Sequence, residues 1–294
     1  MTTRPWKFWT GNAWGPLAEL PGVSIPVATD ITTSTTIAAS STSVNQGTNV
    51  TFTATVSQSP SVGTVQFQFL SGSTWTNYST PVAVAAGKAT LVWTVGATTY
   101  QWRAVYSGSG NYTASTSSAI TVTAKTQKTA TKTVNATWTR SYQSDGSARS
   151  GILEAYQGYY SSTNGNQRSL IGFGALGLPS GSTVTKVEGY VYAAHWGDSG
   201  GGTGIFGYHG YSAAPASYVT GGTQNAVQLA WSSKTGGKWF TLPAAANAGF
   251  QSGANKGFIV GPGPSTSTLA YYGYFNGYSQ SSAPQLRVTY TYWA

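Results

Sequence analysis

Apolar and polar residues alternate with period two along much of the chain. Val50-Thr51-Phe52-Thr53-Ala54-Thr55-Val56 and Val65-Gln66-Phe67-Gln68-Phe69 are the clearest runs. That period sends alternate side chains to opposite faces of a strand, so each run predicts a strand with one buried face. The same reasoning predicts strands over 89–95, 99–106 and 119–123. Turn-forming groups separate them: Asn45-Gln46-Gly47, Ser71-Gly72-Ser73, Ala86-Gly87-Lys88 and Gly108-Ser109-Gly110. Residues 31–124 are therefore expected to form one β-sandwich of short strands.

The alternation resumes in the second half. Strands are predicted over 168–173, 184–196, 204–211, 227–231, 238–242, 257–260, 269–275 and 286–293, with Gly and Pro clusters between them. A short helix over 243–250 is the only helical expectation. Residues 125–136 are polar and basic, and begin as a linker that can run into a first strand ending near Tyr142. At the other end, Trp6-Lys7-Phe8-Trp9 alternates, Thr10-Gly11-Asn12 is a turn, and Trp14 follows. Residues 1–30 form a distinct arm, with Pro21 and Pro26 in an extended linker. Trp6, Phe8, Trp9 and Trp14 are candidate anchors, because exposed aromatics often mark interfaces. A small hairpin covering the next domain is the alternative.

Composition supports an all-β fold. Charged residues are only 7% of the chain, against about 25% in ordinary soluble proteins. Thr, Ser, Asn, Gln and Gly must then supply the polar surface. With 11 Trp, 19 Tyr and one Met, the chain favours pleated, half-buried surfaces over helices. The absence of cysteine excludes a disulfide scaffold, zinc-finger spacing and a thiol nucleophile. No apolar stretch of 18 residues exists, so no membrane partner is expected. The net charge of +9 arises because there are six acids, with one loose basic grouping at Lys125, Lys128, Lys132 and Arg140. A positive surface facing an anionic cell wall fits that pattern equally well, and without dense basic clusters no nucleic-acid partner is expected.

Three segments carry resemblances. Trp9-Thr10-Gly11-Asn12-Ala13-Trp14 resembles short segments in tail proteins of phages that infect actinobacteria. Gly63-Thr64-Val65-Gln66-Phe67, Gly87-Lys88-Ala89 and residues 106–115 resemble bacterial immunoglobulin-like domains, although Gly108-Ser109 stands where that family usually has Gly-Asp. Trp138 to Tyr142, Tyr156-Gln157-Gly158-Tyr159-Tyr160, residues 166–173, residues 178–184 and Pro284 to Tyr290 resemble the jelly-roll modules of actinobacteriophage minor tail proteins. Those modules are themselves similar to carbohydrate-binding domains.

The resemblances imply an all-β chain of three parts: an arm at 1–30, an immunoglobulin-like sandwich at 31–124 and a jelly roll at 125–294. They imply a structural protein of the virion, a minor tail or tail-fibre protein that attaches to cell-wall glycan. Its partners would be other virion proteins, copies of itself (a trimer is one symmetric form) and host polysaccharide. The body looks extracellular, yet Met1 to Leu20 lack the apolar core of a signal peptide. Assembly inside the host and release by lysis would reconcile the two. A capsid decoration protein and a tail-borne wall depolymerase are the alternatives.

Chemistry-bearing motifs are thin. Gly197-Asp198-Ser199-Gly200-Gly201 and Ala193-Ala194-His195 mimic serine-protease signatures, but His195 and Ser199 are four apart, and a triad converges from separate segments. Gly202 to Gly207 satisfies a dinucleotide fingerprint without a following helix. Glycoside hydrolysis needs two facing carboxylates, and the supply is Glu19, Asp30, Asp145, Glu154, Glu188 and Asp198. No catalytic residue, cofactor or metal is expected. The aromatic clusters are the stronger signal, since Tyr and Trp pair a flat apolar face with a polar tip. Trp196, Tyr208, His209, Tyr211, Tyr271, Tyr272, Tyr274 and Tyr278 are the candidate glycan or subunit contacts. About half the clustered aromatics should be core by alternation.

Overall fold

The computed structural model describes residues 7–9, 14–16, 29–264 and 268–294. The chain divides into two compact units, Met1–Thr126 and Gln127–Ala294. Among the described residues no helix is long and apolar enough to cross a membrane.

In the first unit β1 (Lys7–Trp9) and β2 (Trp14–Pro16) form an antiparallel hairpin in which Trp9 pairs with Trp14. Of the anticipated anchors, Trp9 is 56% exposed, Phe8 and Trp14 lie on the two paired strands, and Trp6 lies outside the described residues. The sandwich follows. Strands β3 (Thr35–Ala39), β4 (Ser43–Asn45), β5 (Asn49–Val56), β6 (Thr64–Ser71), β7 (Thr74–Asn77), β8 (Val82–Ala83), β9 (Lys88–Thr94), β10 (Tyr100–Tyr106), β11 (Ser115–Thr116) and β12 (Ile120–Lys125) form two sheets. One sheet has the order β3-β5-β9. The other runs β4-β12-β10-β6-β7, with β8 beside β6 and β11 beside β10.

All pairings are antiparallel except β4 with β12. Alternation explains the core: Val50, Phe52, Ala54 and Val56 of β5 are buried, while Thr51 and Thr55 are exposed. From β10, Trp102, Ala104 and Tyr106 point into the same core, and Phe52 packs on Trp102 at a 4.5 Å ring separation. The Tyr106 hydroxyl donates to Val62 O at 2.9 Å. Gly63, at φ +79°, permits that closure, because a Cβ there would stand 2.8 Å from the Tyr106 ring.

The second unit contains β13 (Gln127–Tyr142), β14 (Ala155–Tyr159), β15 (Asn166–Phe173), β16 (Thr183–Trp196), β17 (Gly202–His209), β18 (Thr223–Trp231), β19 (Gly236–Thr241), α1 (Asn247–Ser252), β20 (Gly257–Val260), β21 (Gly273–Phe275) and β22 (Gln285–Trp293). All its strand pairings are antiparallel. β13 serves both faces of the sandwich: its first half pairs β22, and beyond an irregularity at Ala136/Trp138 it pairs β15. One face continues from β22 to β16, which carries β19 on one side and β21 then β14 on the other. The opposite face runs β15-β20-β17-β18. Phe206 of β17 stacks on Phe240 of β19 at 4.2 Å and meets Phe275 of β21 at 5.5 Å, so the core closes between the faces.

Three expectations are corrected. The stretch expected to begin as a basic linker at 125 is strand from Gln127, earlier than expected, and ends at Tyr142 where the first strand was expected to end; Ala130 and Val134 pack on the core while the intervening threonines stay outside. Residues 269–271 form a 3₁₀ turn before β21, closed by Tyr271 N–H to Thr268 O and Tyr272 N–H to Leu269 O. The expected helix over 243–250 is a 3₁₀ turn at Ala244–Ala246 leading into α1, which Gly253 terminates at φ +76°.

Candidate functional site

Strands β14, β21 and β16 lie side by side in the second unit, with Tyr156 opposite Tyr274 and Tyr274 opposite His195. Residues directly opposite on one face of a sheet interact most strongly. Here they are all aromatic. Tyr156 and Tyr274 are 4.8 Å apart between ring centres, and Tyr274 and His195 stack at 5.3 Å with a 17° interplanar angle. The row continues to Tyr272 at 6.5 Å from His195, and to Tyr160, stacked on Tyr272 at 4.9 Å. At the opposite end the Arg149 guanidinium lies 4.3 Å over the Tyr156 ring, with Nη1 donating to Gln167 Oε1.

Alternation supplies this arrangement. Phe275 enters the core, so Tyr274 faces out; Ala155 and Gln157 are buried, so Tyr156 faces out. In β16 a bulge at Ala193/His195 inserts one residue. Ala193 and Trp196 are three apart yet both fully buried, and His195 is left on the outer face. Gly158, at φ +80°, lets β14 pass against the Tyr271 carbonyl, which a Cβ would strike. Gln157 Nε2 then donates to that carbonyl at 3.0 Å and to Thr203 O at 2.7 Å, locking the 3₁₀ turn beneath Tyr272. Burial pushes the Tyr272 phenol up to about 12, and raises that of Tyr156 with Glu154 as the second cause. Both hydroxyls stay protonated donors at neutral pH.

Farther along the outer face, Tyr190 lies 5.4 Å from Trp239, and the Arg287 guanidinium covers Trp239 at 4.1 Å. Glu188 holds Arg287 at 2.9 Å and Lys186 at 2.7 Å. The Arg287 hydrogen bond is the main reason the Glu188 carboxyl titrates below its usual range, against the opposing effect of burial, with Lys186 adding to it.

The anticipated contacts divide. Tyr272 and Tyr274 stand in the aromatic row. Tyr278 is 43% exposed, its N–H donating to Thr139 Oγ1 at 3.1 Å, and Tyr271 is half-buried at the turn. Trp196 is a correction: it is fully buried 5.6 Å from Trp231, so no surface remains for a ligand. Tyr208 packs on the core beside Phe250. His209 is also corrected. It is fully buried between Trp138 and Tyr211. Its Nδ1 accepts the Tyr211 N–H at 3.1 Å, so Nε2–H donates to Ile171 O at 3.1 Å. Burial lowers its pKa to about 4 despite that carbonyl, and it is a neutral structural group. The Tyr211 hydroxyl donates to Val219 O at 2.8 Å.

Tyr156 and Tyr160 belong to an aromatic-rich stretch, 156–160, that already stands out in the sequence, whereas His195 and Arg149 were not among the anticipated contacts. Tyr156 alternates with buried Ala155 and Gln157, Tyr160 follows the end of β14, and the bulge hid His195. The protease-like string is the turn after β16, where Asp198 Oδ1 accepts the Gly200 N–H at 2.8 Å. Glu154 accepts from Gln280 at 2.7 Å and Asp145 from Ser147. Among the described residues no group of three His, Cys, Asp or Glu is placed to hold a metal ion.

Residues 36–125 match the family model of the bacterial Ig-like domain (group 3). The matched span runs from β3 to the end of β12. The first sandwich is Ig-like. No curated protein matches the chain. The Ig-like domain is followed by the larger antiparallel domain that carries the aromatic row.

Proposed function

We propose that this chain is a non-enzymatic adhesion protein of a bacteriophage particle, with the Ig-like domain as spacer and the outer aromatic face of the second domain as the polysaccharide-binding surface. The observation that carries the glycan reading is the row Tyr156–Tyr274–His195–Tyr272–Tyr160, capped by Arg149. Sugar rings present apolar C–H faces that stack on such rings, while phenol tips and a guanidinium meet the hydroxyls. An open row on a sheet suits a polymer better than an enclosed small molecule. Each contact is weak, and display in several copies supplies avidity. The virion reading is supported by the resemblance of the arm and of the second domain to tail proteins. Attachment to the particle is assigned to the arm at 1–30, through its exposed Trp9.

The test is co-sedimentation of the full chain with actinobacterial wall polysaccharide. Tyr274→Ala, which removes the centre of the row, is expected to weaken binding about tenfold, the factor that ~1.4 kcal/mol of lost stacking makes. Unchanged binding would sink the glycan surface. Release of reducing sugar by the wild-type chain would overturn the non-enzymatic part. Immunogold labelling of particles tests the rest: label at the tail supports attachment, label on the head makes this a decoration protein, and particles lacking the chain remove the virion reading.

A further inference from the structure

The aromatic row occupies one end of the outer face of β16, and a second aromatic pair lies farther along the same strand. β16 turns Val191 and Ala193 into the core, so Tyr190 and Tyr192 face outward in series with His195. On β19, Trp239 stands opposite Tyr190 and Gly237 opposite Tyr192. The Tyr190 ring leans over Gly237, where a Cβ would strike its hydroxyl oxygen, so the glycine lets the ring lie along the sheet. Trp239 is 36% exposed and lies 5.4 Å from Tyr190 between ring centres. It carries the Arg287 guanidinium at 4.1 Å, and Glu188 holds Arg287 in turn. Both rings are therefore set before a ligand arrives, which lowers the ordering cost of binding. His195 follows Tyr190 by five positions, and the bulge at Ala193/His195 takes up one of them. Four strand steps at ~3.3 Å each then place the pair ~13 Å from the row.

We propose that Trp239 and Tyr190 form a second sugar-binding platform on this face, so that the ligand is an extended glycan of several units lying along β16 rather than a single terminal sugar. The proposal rests on the polysaccharide reading of the row and adds a length requirement to it. One sugar ring cannot reach from Tyr190 to His195. A chain can stack on both platforms, and its second contact is then an intramolecular step. Tyr192 stands on the outer face between them, so the path along β16 stays aromatic. The groups beside Trp239 fit a glycan better than a second copy of this chain. Glu188 joins Lys186 and Arg287 there, with the two cationic side chains 47% and 35% exposed. The core of a protein–protein interface is depleted of charged residues, whereas charged donors beside an aromatic ring suit the hydroxyls of a sugar stacked on it.

The test is calorimetric titration of the full chain with actinobacterial wall polysaccharide cut by partial hydrolysis into pools graded by length. Affinity is expected to step up about tenfold once the fragments are long enough to span both platforms. Trp239→Ala should remove that step and leave the affinity for the shortest fragments that bind unchanged. Gly237→Ala, which displaces the Tyr190 ring, should shrink the step in the same way and serves as the test if Trp239→Ala does not fold. Tyr274→Ala should weaken the binding of every pool. No step in the wild type, or a step of equal size in Trp239→Ala, would overturn the second platform and leave the row intact, since longer fragments offer more binding registers by themselves. Self-association of the chain that Trp239→Ala abolishes would make the platform a subunit contact and overturn the proposal as well. Tyr274→Ala without effect on any pool would instead remove the polysaccharide reading of the row.

Discussion

At the residue scale, burial decides what each imidazole does. His195 lies on Tyr274 at the surface, whereas His209 is sealed between Trp138 and Tyr211 with both nitrogens engaged. The His209 pKa falls from 6.5 to about 4, so between those values the unfolded chain binds a proton that the folded chain does not. Stability therefore rises with pH across that window, is complete above about 6.5 and is lost as pH falls toward 4. The cost is about 3 kcal/mol at the acid end. Asp145 and Glu188 titrate lower than ordinary carboxylates, so between pH 6.5 and 5 they stay charged and contribute little. Urea unfolding of the second domain should show a falling midpoint over that range. His209→Gln should flatten the slope, and an equal slope in the variant would assign the effect elsewhere.

At the element scale, neighbours on one strand should behave oppositely. Tyr274 and Phe275 are adjacent in β21, one in the outer row and one in the core against Trp196, Phe206 and Trp231. Phe275→Ala should cost about 3–5 kcal/mol of stability through the cavity it leaves. Tyr274→Ala should cost under about 1 kcal/mol while weakening polysaccharide binding about tenfold. Denaturation and co-sedimentation on the two variants separate the effects. The same strand shows what was legible beforehand. Alternation located β5, β6, β16 and β22, because they depend on period two alone, and it required one face of 271–275 to point inward without fixing which, so Tyr271, Tyr272 and Tyr274 all stood as candidates. Trp196 and His195 defied it, since a bulge changes phase without leaving a mark among Ala193, Ala194 and His195. The end of β13 at Tyr142 was legible but its start at Gln127 was not, because its buried positions begin with a single Ala130 among threonines and lysines.

At the scale of the whole molecule, the two units have separate cores, one around Phe52 and Trp102, the other around Phe206, Phe240 and Phe275. Each unit has a core of its own to unfold cooperatively, so calorimetry of the full chain should resolve two transitions. A ligand stabilises only the unit it binds, by about 2.7 kcal/mol at a hundredfold excess over its Kd. Wall polysaccharide should then raise the transition of the second domain alone. A kcal/mol moves a domain of about 100 residues by roughly 4–8 °C and a larger one by about half as much, so the shift is measurable. A shift of the Ig-like transition instead would move the polysaccharide surface off the second domain, and in Tyr274→Ala the shift at a given polysaccharide concentration should shrink as its Kd rises about tenfold.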